Sequence, residues 1–341
     1  MGQGKTYGAL FIVLLLVTAF LFVTDLCLGP AAIPMSDVLS VLGGGDASKP
    51  SWTYILMDYR LPKAATALLA GMGLSVSGLM MQTLFRNPLA GPYVLGLSSG
   101  SSLGVAFAVM GAGFLPGAIA GYFTSPGGII LASCAGSLMV LLAVMAVSAR
   151  MRDTMSILIV GLMFGSFTGA IVGVLTYFAP AEQLQRYTFW ALGNLGNLSW
   201  ESVLILTLAV VAGLILSIAS IKPLDALLLG ENYARSMGID LRFSRFIIIA
   251  ATSLLAGSIT AFAGPIAFVG LAVPHMARLL FSSAEHRILF PSTLLLGGLI
   301  MLFCDIATQV PGTEILLPIN AITSLIGAPV VVWLLLKRPF A

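Results

Sequence analysis

Charge is what this chain has least of. Only 9% of its 341 residues are Asp, Glu, Lys or Arg, where a soluble domain carries roughly 25%. So few charges cannot clothe a water-facing surface, and a soluble globular fold is excluded. Cysteine is scarcer still. Cys27, Cys134 and Cys304 lie singly in separate apolar stretches, without the spacing of a disulfide framework or a metal site, and read as small core residues. The chemistry of catalysis is missing as well. There is no Ser/His/Asp arrangement and no complete nucleotide-binding loop: Gly4-Lys5-Thr6 imitates the end of one, but the glycine that opens the pattern would precede Met1. The chain is therefore expected to hold no catalytic set and no cofactor or metal of its own. No basic surface interleaved with aromatics is present either, which argues against a nucleic-acid partner.

What fills the chain instead is hydrophobic sequence, 59% of residues, at a mean hydropathy of +1.06. A helical span takes about 20 apolar residues, so about ten fit. Runs such as Ile205 to Ile218 are apolar on every side, whereas the strands of a membrane barrel alternate. The reading is an all-α integral membrane protein. Spans are expected at about 8–28, 62–84, 93–110, 127–147, 154–178, 202–219, 246–263, 266–281, 288–310 and 315–336, in a single transmembrane domain over 1–341. With both termini placed in the cytoplasm, the inner segments hold twelve of the sixteen Lys and Arg residues. The outer ones hold only Lys49, Arg60, Lys63 and Arg186, as the positive-inside bias requires.

The connecting segments differ in character. Outside, 29–60 and 180–200 suit interfacial or short helical caps, the second ending with Ser199 as a cap for the next helix. Inside, Lys222 to Arg245 concentrates Lys222, Asp225, Glu231, Arg235, Asp240, Arg242 and Arg245 between two apolar runs. Pro223 suits a first turn, Asp225 a cap, Gly230 an interruption and Gly238 a stop, and Glu231 precedes Arg235 by four residues on a helical pattern. Two short helices with a kink between them are expected over about 222–242. A merely solvated loop has no use for Leu224, Leu227, Leu228, Leu229, Tyr233 and Met237. They make an apolar folded surface that wants a partner.

Three further stretches stand out. Arg60 and Lys63 put two cations at the outer mouth, ahead of Gly71, Gly73, Ser75, Ser77 and Gly78, small residues that let helices approach closely. The cations serve either as interfacial anchors or as a dock for an acidic partner. Asn87 to Pro92 cannot continue a helix, and neither can Gly264-Pro265. Each Gly-Pro break is followed a few residues later by Gly-Leu, at Gly96-Leu97 and Gly270-Leu271. Such paired breaks occur in transporters built from inverted repeats. His275, beside Arg278, is either a proton relay or a structural hydrogen-bonding group.

Taken together the motifs resemble those of the membrane permease of bacterial ABC importers for vitamin B12, haem and ferric siderophores. The matching stretches are RLPK at Arg60 to Lys63, GLSVSGLMMQTLFRNPLAGPYVLG at Gly73 to Gly96, PLDALLLGENYARSMGI at Pro223 to Ile239, GPIAFVGLAVPHMARLL at Gly264 to Leu280 and LIGAPVVVWLLLKR at Leu325 to Arg338. The resemblance implies about ten helices per subunit in the type II importer fold, a homodimer with the path at its interface, two cytoplasmic ATPases that use ATP and magnesium, and a periplasmic or lipid-anchored substrate-binding protein. The membrane would be the bacterial cytoplasmic membrane.

It also implies residue roles. Pro223, Leu224, Asp225, Leu228, Leu229, Gly230, Glu231, Ala234, Arg235 and Gly238 correspond to the helices that couple to the ATPase. Arg60 and Lys63 fall where the family meets glutamates of the binding protein, and Gln309 occupies a third such position that is often arginine. Asn87 and Leu89 match the cytoplasmic constriction. Thr154 matches a second gate position, with Met155 beside it where the B12 importer has serine. Asn320 replaces a glycine of the last helix and puts a polar group near the outer end of the path. Two other classes remain alternatives. An ion-coupled secondary transporter needs intramembrane carboxylates, for which Asp305 is the candidate. A non-transporting membrane anchor has no need of matched helix breaks.

Overall fold

The computed structural model describes residues 2–114, 116–148, 151, 154–196, 198–309 and 316–337. They form α1 (Gly2–Cys27), α2 (Met35–Leu42), α3 (Pro50–Ile55), α4 (Leu61–Leu84), α5 (Leu97–Met110), α6 (Gly117–Phe123), α7 (Pro126–Ser148), α8 (Thr154–Phe178), α9 (Ala181–Ala191), α10 (Trp200–Ala219), α11 (Ile221–Leu229), α12 (Glu231–Ser236), α13 (Leu241–Ala263), α14 (Val269–Phe281), α15 (His286–Thr308) and α16 (Ile319–Lys337). Among the described residues, extended backbone pairs only in an isolated bridge between Gln309 and Leu316.

Among the described residues, seven helical segments are long and apolar enough to cross a membrane, and three shorter apolar helices lie in α5, α14 and α16. Together they occupy the ten expected positions. Five expected starts need correction. The third, seventh and tenth spans begin at Leu97, Leu241 and Ile319 instead of 93, 246 and 315, and the other two have a visible cause. The second span does not begin at 62, because helix runs from Pro50 to Leu84 through a π-helical turn at Leu56–Arg60. Pro62 explains the turn: it brings no N–H and its ring crowds the carbonyl four residues back, so the backbone widens just before it. Arg60 thus sits in a helix and not in a loop. The eighth span begins at Val269 instead of 266, because Gly264 to Phe268 stays unwound.

The two Gly-Pro breaks resolve alike. After Pro92–Leu95, a 3-10 turn, Gly96 (φ 75°) precedes α5, and Phe268 (φ 66°) precedes α14. Each break ends in a left-handed residue at the cap of a short helix of 14 or 13 residues. Ser199 caps α10 as expected, its hydroxyl accepting from the Ser202 N–H at 3.4 Å.

The chain packs as two compact units, one of Met1–Ser75, Asn194–Leu208 and Ile266–Ala341, the other of Val76–Gly193 and Ala209–Pro265. In the first, α4 and α15 touch backbone to backbone. A Cβ on Gly71 would lie 2.1 Å from the Gly297 carbonyl oxygen, and the Ser75 hydroxyl reaches the Thr293 carbonyl across the helices at 3.0 Å. In the second, α5 and α7 approach as closely: a Cβ on Gly104 would lie 2.0 Å from the Ala132 carbonyl oxygen. Hydrocarbon solvates a leucine as well as a protein interior does, so membrane helices associate through such close contact and interhelical hydrogen bonds. α1, α7, α8 and α10 instead expose broad apolar faces, with Leu16, Leu142, Phe167 and Leu204 all more than half accessible. Those faces meet lipid or another chain.

Candidate functional site

The charged segment between α10 and α13 folds as two short helices. Pro223 lies in the first turn of α11, and Ser220 occupies its cap position. Asp225 is inside the helix, so the expectation that it caps gives way. At Gly230 the backbone takes φ 121° and ψ 148°, a conformation open only to glycine. α12 follows at once. Its end is closed by the bonds from Gly238 N–H to the Arg235 carbonyl (2.9 Å) and from Ile239 N–H to the Ala234 carbonyl (3.1 Å), with Gly238 at φ 78°; this is the paired closure that ends many helices.

The pair has an inner and an outer face. Leu224, Leu227 and Ala234 are buried and hold it together, while Leu228, Leu229, Tyr233 and Met237 are exposed. Arg235 and Gly238 lie on the exposed side, and Pro223, Asp225, Gly230 and Glu231 are half-buried. Of the residues that the resemblance assigned to coupling, Leu224 and Ala234 therefore face inward, toward the packing. The spacing of Glu231 and Arg235 suggested a pair within one helix. Glu231 Oε1 instead lies 2.6 Å from Arg245 Nη2, a side chain only 9% exposed. An exposed pair at that spacing contributes only about 0.2–0.5 kcal/mol, whereas a buried guanidinium demands a counter-charge. Asp240 starts α13 by accepting from the N–H groups of Arg242 (2.8 Å) and Phe243 (3.1 Å), which sets Arg245 one turn further on, beneath α12.

A second element reaches this pair. α4 ends at Leu84, and Arg86 takes a left-handed backbone (φ 46°). Its Nε and Nη2 both donate to the carbonyl of Leu227, at 3.0 and 2.8 Å. The turn after it is tight: Asn87 Oδ1 accepts from Leu89 N–H at 2.9 Å, and the Asn87 carbonyl accepts from Ala90 N–H at 3.0 Å. Asn87 is half-buried and Leu89 exposed. The side chains of Thr154 and Met155 lie outside the described residues.

At the other end of α4, the expected cations find internal partners. Arg60 donates to the carbonyls of Leu26 (2.7 Å), Cys27 (3.1 Å) and Ala31, closing the C-terminus of α1, where a cation is favoured. Lys63 Nζ lies 2.9 Å from Asp305 Oδ1, with side chains 19% and 2% exposed. Gln309 Nε2 donates to Asp25 Oδ1 at 3.0 Å. These groups border a cavity of about 340 Å³ that Asp25, Tyr59, Arg60, Lys63, Asn194 and Gln309 help to line. The sequence named three members of this cluster for an external role and missed that Asp25 and Asp305 complete it. The signal was there: two carboxylates buried in apolar helices call for cations, and Arg60 and Lys63 are two of the four assigned to that side.

Asn320 likewise has an internal task. Its Oδ1 accepts from the N–H of Ala267 at 3.0 Å, in the stretch where the Gly264-Pro265 break leaves backbone without helical partners. A glycine there would offer no acceptor. His275 is buried within α14.

Comparison with known proteins agrees with this architecture. Residues 14–337 match the model of the FecCD transport family. The vitamin B12 import system permease proteins BtuC of Salmonella schwarzengrund (strain CVM19633) and Salmonella typhimurium (strain LT2) are each 34% identical over 314 residues, covering 92% of this chain and 90% of theirs. BtuC of Escherichia coli O17:K52:H18 is 35% identical over 294 residues, covering 86% and 87%. Among solved structures, one described as an inward-facing conformation of a metal-chelate type ABC transporter superposes with a TM-score of 0.84 at 26% identity, covering 97% of this chain and all of that one. PsaBC from Streptococcus pneumoniae in complex with Fab gives a TM-score of 0.52 at 14% identity, over 82% of this chain and 91% of that one, a likeness of fold alone.

Proposed function

Because the chain belongs to the FecCD transport family, a multi-pass membrane permease, we propose that it carries a metal chelate, an iron-siderophore, haem or corrinoid, inward across the bacterial cytoplasmic membrane. Two cytoplasmic ABC ATPases supply the energy from ATP and magnesium, a second copy of this chain completes the path, and a binding protein outside delivers the cargo. What carries this reading is the α11–Gly230–α12 pair: a folded surface with Leu228, Leu229, Tyr233 and Met237 exposed, too apolar to be left to water and too short to span a bilayer. The exposed face of α8, where Gly169 and Gly173 have nothing within 4 Å of an added Cβ, supports a second copy as the other wall of the path.

The ion-coupled alternative needs a carboxylate open to the coupling ion, and Asp305 already holds Lys63. The test is reconstitution into vesicles with the cognate ATPase and binding protein and a panel of radiolabelled corrinoid, haem and ferric siderophores. ATP-dependent accumulation of one chelate is expected. Accumulation driven by an ion gradient in the absence of ATP would overturn the reading.

A further inference from the structure

Arg86 joins two elements that the sequence treats separately. Its guanidinium binds the Leu227 carbonyl through both Nε (3.0 Å) and Nη2 (2.8 Å), near the end of α11, on the same oxygen that accepts from the Gly230 N–H at 3.2 Å. Two residues of covalent chain then lead to Leu89. The intervening turn is closed by the Asn87 side chain and carbonyl, so Arg86 and Asn87 to Ala90 move as one piece. A left-handed backbone at an arginine is unfavourable, and here it accompanies a side chain directed onto α11. On the far side of Gly230, α12 has its own tether, Glu231 to Arg245 of α13 at 2.6 Å. The hinge is therefore flanked by two attachments to different helices. α11 is fastened to the end of α4, and α12 to the start of α13.

We infer that Arg86 is a positioning residue that transmits displacement of α11 to the turn bearing Asn87 and Leu89, so that a push on the α11–α12 surface moves the cytoplasmic constriction. The inference rests on the permease reading above. Lysine replaces it only in part: a point charge on a flexible stem can reach the carbonyl but lacks the planar pair of donors that fixes orientation. The link is an arginine because direction as well as attachment has to be passed on.

The test compares the reconstituted complex, with its ATPase and binding protein, carrying the parent chain, Arg86→Ala or Arg86→Lys. ATPase retained on purification, ATP hydrolysis and chelate accumulated are measured on the same vesicles. Arg86→Ala is expected to retain the ATPase and hydrolyse ATP within about twofold of the parent, and to accumulate at least about tenfold less chelate per ATP, the factor that loss of a hydrogen bond from a charged donor corresponds to. Arg86→Lys is expected to show the same loss in smaller degree, and serves alone if the alanine variant does not accumulate in the membrane. A parental ratio of transport to hydrolysis in both variants, or hydrolysis and transport falling in step, would overturn the inference. If the parent chain itself retains no ATPase, the permease reading falls first and this inference with it.

Discussion

Replacing Lys63 by Met removes the ammonium 2.9 Å from Asp305 and leaves a carboxylate that is 2% exposed without its counter-charge. Breaking a buried ion pair from one side costs about 3–5 kcal/mol. Because Lys63 keeps 19% of its side chain exposed, some water reaches the pair, and we expect about 3 kcal/mol, the lower end of that range. Asp305→Leu should cost less, about 1–2 kcal/mol, because the freed lysine can extend its stem toward water. The double variant Lys63→Met/Asp305→Leu should recover most of the loss, since an apolar pair of similar volume is about as stable as a buried ion pair. Equilibrium unfolding of the four proteins in detergent micelles completes the double-mutant cycle, with an expected coupling of about 3–4 kcal/mol when about 1 kcal/mol of loss remains in the double variant. Additive effects, or a Lys63→Met change below about 0.5 kcal/mol, would refute the reasoning and return Lys63 to a docking role, in which its loss weakens association with the external binding protein and leaves stability alone.

Four further perturbations follow from the same geometry. Gly71→Ala drives a Cβ to 2.1 Å from the Gly297 carbonyl, and forcing backbone apart there should destabilise by about 1–3 kcal/mol, read as a lower midpoint of thermal unfolding; Gly117→Ala, where nothing lies within 4 Å of an added Cβ, should leave it unchanged. Asn320→Gly strips the acceptor from Ala267 N–H, at about 1–3 kcal/mol for a partly buried group left unpaired; faster amide exchange at 264–268 is the check. Gly230→Ala places a side chain at φ 121°, costing about 1–3 kcal/mol of local strain, and should lower ATPase retention. Outside the membrane spans, Asp37 accepts from the Ser48 N–H and hydroxyl, each at 2.6 Å, and these bonds hold its carboxyl below the usual carboxylate range. A depressed carboxylate stabilises above its unfolded pKa and loses that contribution as pH falls through the folded value. Proteolysis of the 43–50 loop should therefore rise below about pH 4, and Asp37→Asn should show the faster cleavage already at neutral pH.

The sequence was most readable where one physical demand acts alone. Ten apolar stretches declared ten helices because backbone in hydrocarbon has no other solution at that length. Gly230 and Gly238 announce the kink and the stop of α11 and α12 because both occupy backbone that other residues avoid. Reading was poorest for polar side chains, since the partner is chosen in space. Glu231 bonds Arg245, fourteen residues away, instead of Arg235; Arg86 bonds a carbonyl 141 residues on; Lys63 and Asp305 are 242 positions apart. Arg60 and Lys63 read either as interfacial anchors or as a dock for an acidic partner, and the partners that their charged ends meet within the chain, the carbonyls of Leu26 and Cys27 and the carboxylate of Asp305, are not legible in that reading. Asn320, which read as a polar intrusion into the path, bonds the broken backbone at Ala267. The unwound stretch at 264–268 and the polar residue in α16 were each visible. That one answers the other was not.

The measurement closest to the central claim is purification of the tagged protein from its native membranes in mild detergent, alongside a variant with Leu229→Asp and Tyr233→Asp. Both side chains are exposed, so the variant should fold as the parent does. A nucleotide-binding subunit held at fixed stoichiometry by the parent and lost by the variant is what a coupling surface at α11 and α12 predicts. Retention by both would move the ATPase contact elsewhere on the chain. Retention by neither would contradict the account.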